Sequence, residues 1–116
     1  MREHRQQPRT KLLKLVKIKT AEDQKLFGHI VDLSEGGMLV HTNSNIESGD
    51  YLNILVDLPT DIHATPLDIH IETAWVDDAD NHCGYYAGCR FIAIEKADRD
   101  ALQNLIERYP MGQEEL

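Results

Sequence analysis

At 116 residues, 41% of them hydrophobic, the chain has material for one folded domain around one core and not for two. No window is apolar enough for a membrane span or a secretory leader, which leads us to expect a cytoplasmic protein without membrane insertion. The formal charge of −8 is unevenly spread: residues 1–19 hold seven Lys and Arg against Glu3 alone and carry +6, so the other 97 carry −14. A basic arm on an acidic body suits a small anion and disfavours DNA or RNA, which most of the surface would repel.

Residues 1–11 read as that arm, flexible and basic. Pro8 forbids a helix and biases Gln7 toward extended backbone, so Arg5-Gln6-Gln7-Pro8-Arg9 is a loop able to fold over a ligand. Leu13, Leu15, Val16 and Ile18, interleaved with lysines, then predict a half-buried strand. Phe27 to Val31 is a second strand and Met38 to His41 a third, with Asp32-Leu33-Ser34-Glu35-Gly36-Gly37 as the turn between them. Gly36 and Gly37 permit positive φ and keep Cβ atoms away from anything docking on the backbone. Asn43 to Asp50 is a loop. Tyr51 to Leu58 alternates as a fourth strand, and Pro59 to Pro66 breaks the pattern.

Leu67 to Val76 is the cleanest strand, with Leu67, Ile69, Ile71, Thr73 and Trp75 expected on one face and Asp68, His70 and Glu72 on the other. Asp77 to Gly84 is an acidic loop. Tyr85 to Ile94 is the last strand, with Gly88 marking a bulge or a close approach. Ala101, Leu102, Leu105, Ile106 and Tyr109 then recur at helical spacing, with Asp98 and Asp100 in the first turn and Arg108 in the last. Pro110 and Gly112 stop the helix, and residues 111–116 form a frayed tail. Six short strands and one helix predict an antiparallel sheet closed on itself, residues 12–110, with the helix over one end.

The chemistry concentrates in two places. Arginine donates in parallel to guanine O6 and N7, stacks on bases and pairs with phosphate, so Arg5 and Arg9 suit a guanine nucleotide. The Asp32 carboxylate can accept from guanine N1–H and N2–H₂ or orient an arginine, and the Ser34 hydroxyl both donates and accepts. The plainer alternative is a hairpin in which Asp32 and Ser34 only bond nearby backbone.

Arg5-x-x-x-Arg9 followed two strands later by Asp32-x-Ser34-x-x-Gly37 resembles the PilZ domain, the bacterial receptor module for cyclic di-GMP. The resemblance covers nearly the whole chain, including Trp75-Val76, Gly88-Cys89-Arg90-Phe91 and the closing helix. It implies a mainly β fold: a six-stranded antiparallel barrel with a C-terminal α-helix and a flexible N-terminal arm. It further implies that Arg5 and Arg9 bind guanine and phosphate, that Asp32 and Ser34 hold a guanine edge, and that Gly36 and Gly37 let the backbone approach. Trp75 lies where the family often has an aromatic near the ligand, although a lone Trp on an alternating strand is more often core. Arg90 is either a further ligand contact or a plain strand residue. His4 precedes the first arginine, where some relatives carry an arginine that holds a second, intercalated ligand molecule, so one or two ligands remain open.

The function expected from this is a stand-alone cyclic di-GMP receptor and adaptor, monomer or weak dimer. Its arm orders on binding and changes the surface offered to an unidentified downstream protein. Three other readings are weighed. No nucleophile stands in a recognisable relation to a base, so no catalytic residues and no enzyme are expected. His63, His70, His82, Cys83 and Cys89 match no zinc spacing, so no metal is expected; two cysteines without CxxC spacing read as reduced thiols. A PilZ-like adaptor that binds no nucleotide is the remaining alternative; degenerate relatives of that kind lack the arginines or the Asp-x-Ser turn, and this chain has both.

Overall fold

The computed structural model describes residues 10–79 and 83–109. Six strands run β1 Thr10–Thr20, β2 Leu26–Leu33, β3 Gly37–Thr42, β4 Tyr51–Val56, β5 Leu67–Asp78 and β6 Tyr85–Ala93, followed by helix α1, Lys96–Arg108. They pair antiparallel in the order β1-β2-β3-β6-β5-β4, and β4 returns to β1 through Ile18↔Val56 and Thr20↔Ile54, closing a barrel. The closing seam is short, covering Ile18–Thr20 of β1 and Ile54–Val56 of β4. β1 takes in Thr10 and Lys11, which the sequence reading gives to the arm.

Alternation sends one face of each strand inward. Val16, Ile18, Ile30, Leu33, Val40, Ile54, Val56, Leu67, Ile69 and Ile71 are all within 3% of complete burial and fill the barrel. At this burial each aliphatic side chain contributes roughly 1.5–3 kcal/mol of transfer free energy. Two threonines join them. Thr42 donates its hydroxyl to the Phe27 carbonyl and accepts from the Ser44 N–H at 3.0 Å, so the turn out of β3 is tied from inside. Cys89 is also inward, and burial pushes its thiol up to about 12, which leaves it inert as a nucleophile or metal ligand at neutral pH. Cys83 is exposed, and no disulfide joins it to Cys89.

Helix α1 covers one end of the barrel. Ala101, Leu102 and Leu105 complete the core, with Ile106 and Tyr109 packed at its margin. Two arginines fasten it at that end. Arg99 donates to the Glu35 carbonyl at 3.3 Å, and Arg108 pairs with Asp61 at 2.9 Å. Asp98 lies in the first turn as expected, but Asp100 falls in the second, one turn beyond Lys96, with which it pairs at 3.1 Å. Pro110 and the expected tail lie outside the described residues.

Bulges decide which residues face out. In β5 the register passes from Thr73↔Cys89 to Trp75↔Gly88, so Ala74 is an extra residue with no partner on β6. The inward row expected to include Trp75 therefore stops at Thr73. Beyond the bulge Val76 packs against the core and Trp75 turns to the outer face. A second bulge at Val31 resets β2 in the same way, between Ile30↔Val40 and Asp32↔Leu39.

Candidate functional site

The register aligns Lys11, Asp32, Leu39, Gly88 and Trp75 as successive Cα partners across five strands. Leu33, Met38, Val40, Ala87 and Cys89, which flank this row along the strands, all point into the core. Asp32, Leu39 and Trp75 therefore share the outer face of the barrel. Periodicity and spacing have no means of linking residues 32 and 75, which only the family resemblance put near one ligand; cross-strand register sets them in one row.

Gly88 is the seat of the tryptophan. A Cβ there would lie 2.2 Å from Trp75 Nε1 and 2.8 Å from Cζ2, so the indole occupies the space a side chain would take. Of the two roles expected for this glycine, the close approach holds, and the bulge sits across from it on β5. Trp75 is half-buried, held as an aromatic platform on the outer surface rather than dissolved in the core.

The Asp32 end of the row is tightly built. Asp32 keeps only 6% of its surface exposed although its strand face is outward. The Ser34 N–H donates to the Gly37 carbonyl at 2.9 Å and closes the hairpin, and the Ser34 hydroxyl reaches the same carbonyl at 3.4 Å. The backbone-bonding role of Ser34 is thus realised. Gly36 and Gly37 do not use positive φ, which among the described glycines belongs to Gly49 and Gly84. Gly37 is required for another reason: a Cβ would lie 2.1 Å from the Cys89 carbonyl oxygen, in the backbone of β6. The Gly36 carbonyl accepts from the Phe91 N–H at 3.0 Å, so the turn is bonded both to β6 and, through Glu35, to α1. A cleft of about 260 Å³ lies between turn and helix, lined by Ser34, Glu35, Phe91 and Arg99 among others.

Arg90 stands on the outer face two residues beyond Gly88, aligned with Gly37 on one side and Glu72 on the other. Its guanidinium pairs with Glu72 at 2.6 Å, so in this state it is engaged by a neighbouring strand. Arg5, Arg9 and His4 lie outside the described residues. What is described is where their segment enters the barrel: Thr10 pairs with Leu33 and Lys11 with Asp32.

Elsewhere, His29, His41 and Tyr86 gather on the outer face, a cluster that the sequence reading overlooked. Its only advance signal is one histidine in each of two strands joined by a short turn. Among the described residues no three His, Cys, Asp or Glu side chains are grouped as a metal would need. No described helix is long and apolar enough to cross a membrane.

The PilZ domain profile matches residues 3–108. Among solved structures, the Bacillus subtilis inhibitor of motility MotI/DgrA superposes with a TM-score of 0.70 at 20% identity, over 92% of this chain and 51% of its own. The PilZ domain of Escherichia coli YcgR, solved with c-di-GMP, gives 0.67 at 15% identity over 90% of each chain. The K. pneumonia MrkH complex with c-di-GMP gives 0.69 at 16% identity, over 92% of this chain and 52% of its own. The chain therefore spans about half the length of MotI/DgrA and of MrkH. At such identities the likeness is one of fold. No curated protein sequence matches the chain.

Proposed function

This chain belongs to the PilZ domain family, and from that premise we propose that it is a receptor for cyclic di-GMP, not an enzyme. The observation that carries the reading is the register at the barrel mouth. Thr10 is paired with Leu33 and Lys11 with Asp32, and Arg9 precedes Thr10 by one peptide unit, about 3.8 Å between Cα atoms. The chain that follows Arg5 and Arg9 thus joins the barrel beside Asp32, and in this reading both arginines serve a ligand held there.

The Asp32 carboxylate, at one end of the row, can accept from guanine N1–H and N2–H₂ or orient an arginine fork. The guanidiniums of Arg5 and Arg9 take the phosphates and the Hoogsteen edge, and the Trp75 ring at the far end of the row offers a stacking surface. Arg90 reaches the ligand only by leaving Glu72, so it is a secondary contact. The ligand seats a polar group against the Ser34–Gly37 turn. From there the Gly36 bond to β6 and the Arg99 bond to Glu35 connect the site to α1. Closure of the arm and a shift of the turn change the surface offered to a partner protein.

Titration calorimetry with cyclic di-GMP tests this. The wild type binds, and Arg9→Ala weakens binding about tenfold or more, the scale of a lost hydrogen bond to a charged group. Absence of binding by the wild type at micromolar ligand would overturn the receptor reading and leave an adaptor that binds no nucleotide.

A further inference from the structure

The outer face carries a second row beside that of Asp32. The register aligns Lys17, His29, His41, Tyr86 and Asp77 across the same five strands. On β3, β6 and β5 each of these residues stands two positions from its counterpart in the first row, about 7 Å along the strand. From Lys17 to Tyr86 the row crosses three strand spacings, about 14 Å.

The rings of this row touch. His29 and His41 have centroids 5.3 Å apart, and His41 meets Tyr86 at 5.4 Å, edge to face. The His41 Nε2 lies 2.7 Å from the Cys83 carbonyl oxygen. A carbonyl can only accept, so Nε2 carries the hydrogen and Nδ1 is the atom left to bind or take up a proton. A cleft of about 250 Å³ opens over this end of the row, lined by Lys17, Leu26, His29, His41 and Ser44 among others. Tyr86 remains 36% exposed beside it.

Resting on the receptor reading above, we propose that the Lys17–His29–His41–Tyr86 row is a second half-site for the same cyclic dinucleotide. The Asp32 turn holds one guanine, and this row receives a phosphodiester and the guanine of the other half. The Lys17 ammonium and imidazole N–H groups donate to phosphate oxygens, and the exposed ring of Tyr86 packs on a base. A cyclic dinucleotide presents two bases and two phosphates on one ring, and two adjacent rows on one face match that repetition. A mononucleotide would fill only one.

The row makes binding sensitive to pH. Facing His29 are Lys17 from β1 and His41 from β3, with Asp32 three residues further along β2; beyond His41 come Tyr86 from β6, Asp77 from β5 and the Cys83 carbonyl. Burial, and secondarily the neighbouring His41, hold His29 below the usual imidazole range. A phosphate placed on the row favours the protonated form of His29. Binding then takes up protons, so affinity rises as pH falls through the imidazole range.

Calorimetry with cyclic di-GMP at about pH 6 and about pH 8 reads this, with imidazole proton resonances followed by NMR in the wild type. Affinity is expected to rise severalfold, up to about tenfold, on acidification, and the His29 resonance to titrate at higher pH in the complex. The double variant His29→Gln with His41→Gln should bind more weakly and lose that pH dependence. Equal affinity and an equal pH profile in wild type and variant would overturn the second half-site and leave the receptor reading intact. Should the variant fail to fold, imidazole resonances that do not move on saturating the wild type would overturn it equally. No binding by the wild type at either pH would remove the receptor reading itself, and the half-site with it.

Discussion

Strand β5 is two strands in one. From Leu67 to Thr73 it obeys a strict alternation, with Leu67, Ile69, Ile71 and Thr73 at or near zero exposure and Asp68 and His70 in solvent. From Trp75 to Asp78 the pattern is phase-shifted, and an aromatic ring that should be core lies on the outer surface over Gly88. One unpaired residue, Ala74, separates the two halves. The first half is built for stability. The second is built to present a side chain, and bulges are a recurrent means of re-aiming side chains next to functional sites.

Truncations in the two halves should separate these roles. The largest effect is expected from Ile69→Ala, which empties a fully buried position facing the barrel core and should cost about 3–4 kcal/mol in urea unfolding. A loss below about 1 kcal/mol would mean that the core collapses around the gap. Glycine replacements come next. Gly37→Ala meets the backbone of β6 at 2.1 Å, whereas Gly88→Ala meets an indole that can swing away. Gly37→Ala should therefore cost more, while Gly88→Ala should cost about 1–2 kcal/mol and shift Trp75 fluorescence to the red as the ring enters solvent. An unchanged emission maximum in Gly88→Ala would contradict the seating of the ring. The smallest effect on stability is expected from Trp75→Ala, about 1 kcal/mol, because the ring lies on the outer face and is only partly buried. If the ring stacks on the ligand, the same variant loses about tenfold in cyclic di-GMP affinity. A variant that loses stability and keeps full affinity would return Trp75 to the core.

The outer face teaches the same lesson a second time. His29 and His41 are twelve residues apart, and Tyr86 is forty-five beyond His41; nothing in their local sequence marks them as a set. β2 and β3 bring the imidazoles together as direct cross-strand partners, and β6 adds the phenol.

What the linear chain determines here is periodic or local. Alternating apolar residues state which segments are strands, the spacing from Ala101 to Tyr109 states a helix, and Pro and Gly punctuation states where they end. The Asp-x-Ser turn is equally local, since its hydrogen bonds span three residues. Tertiary structure decided the rest. The strand order β1-β2-β3-β6-β5-β4 set which residues share a row, and the bulges at Val31 and Ala74 set which face each residue occupies. A strand's own pattern has period two and cannot announce the residue at which its phase will slip, because the slip is fixed by pairing with a partner distant in the chain.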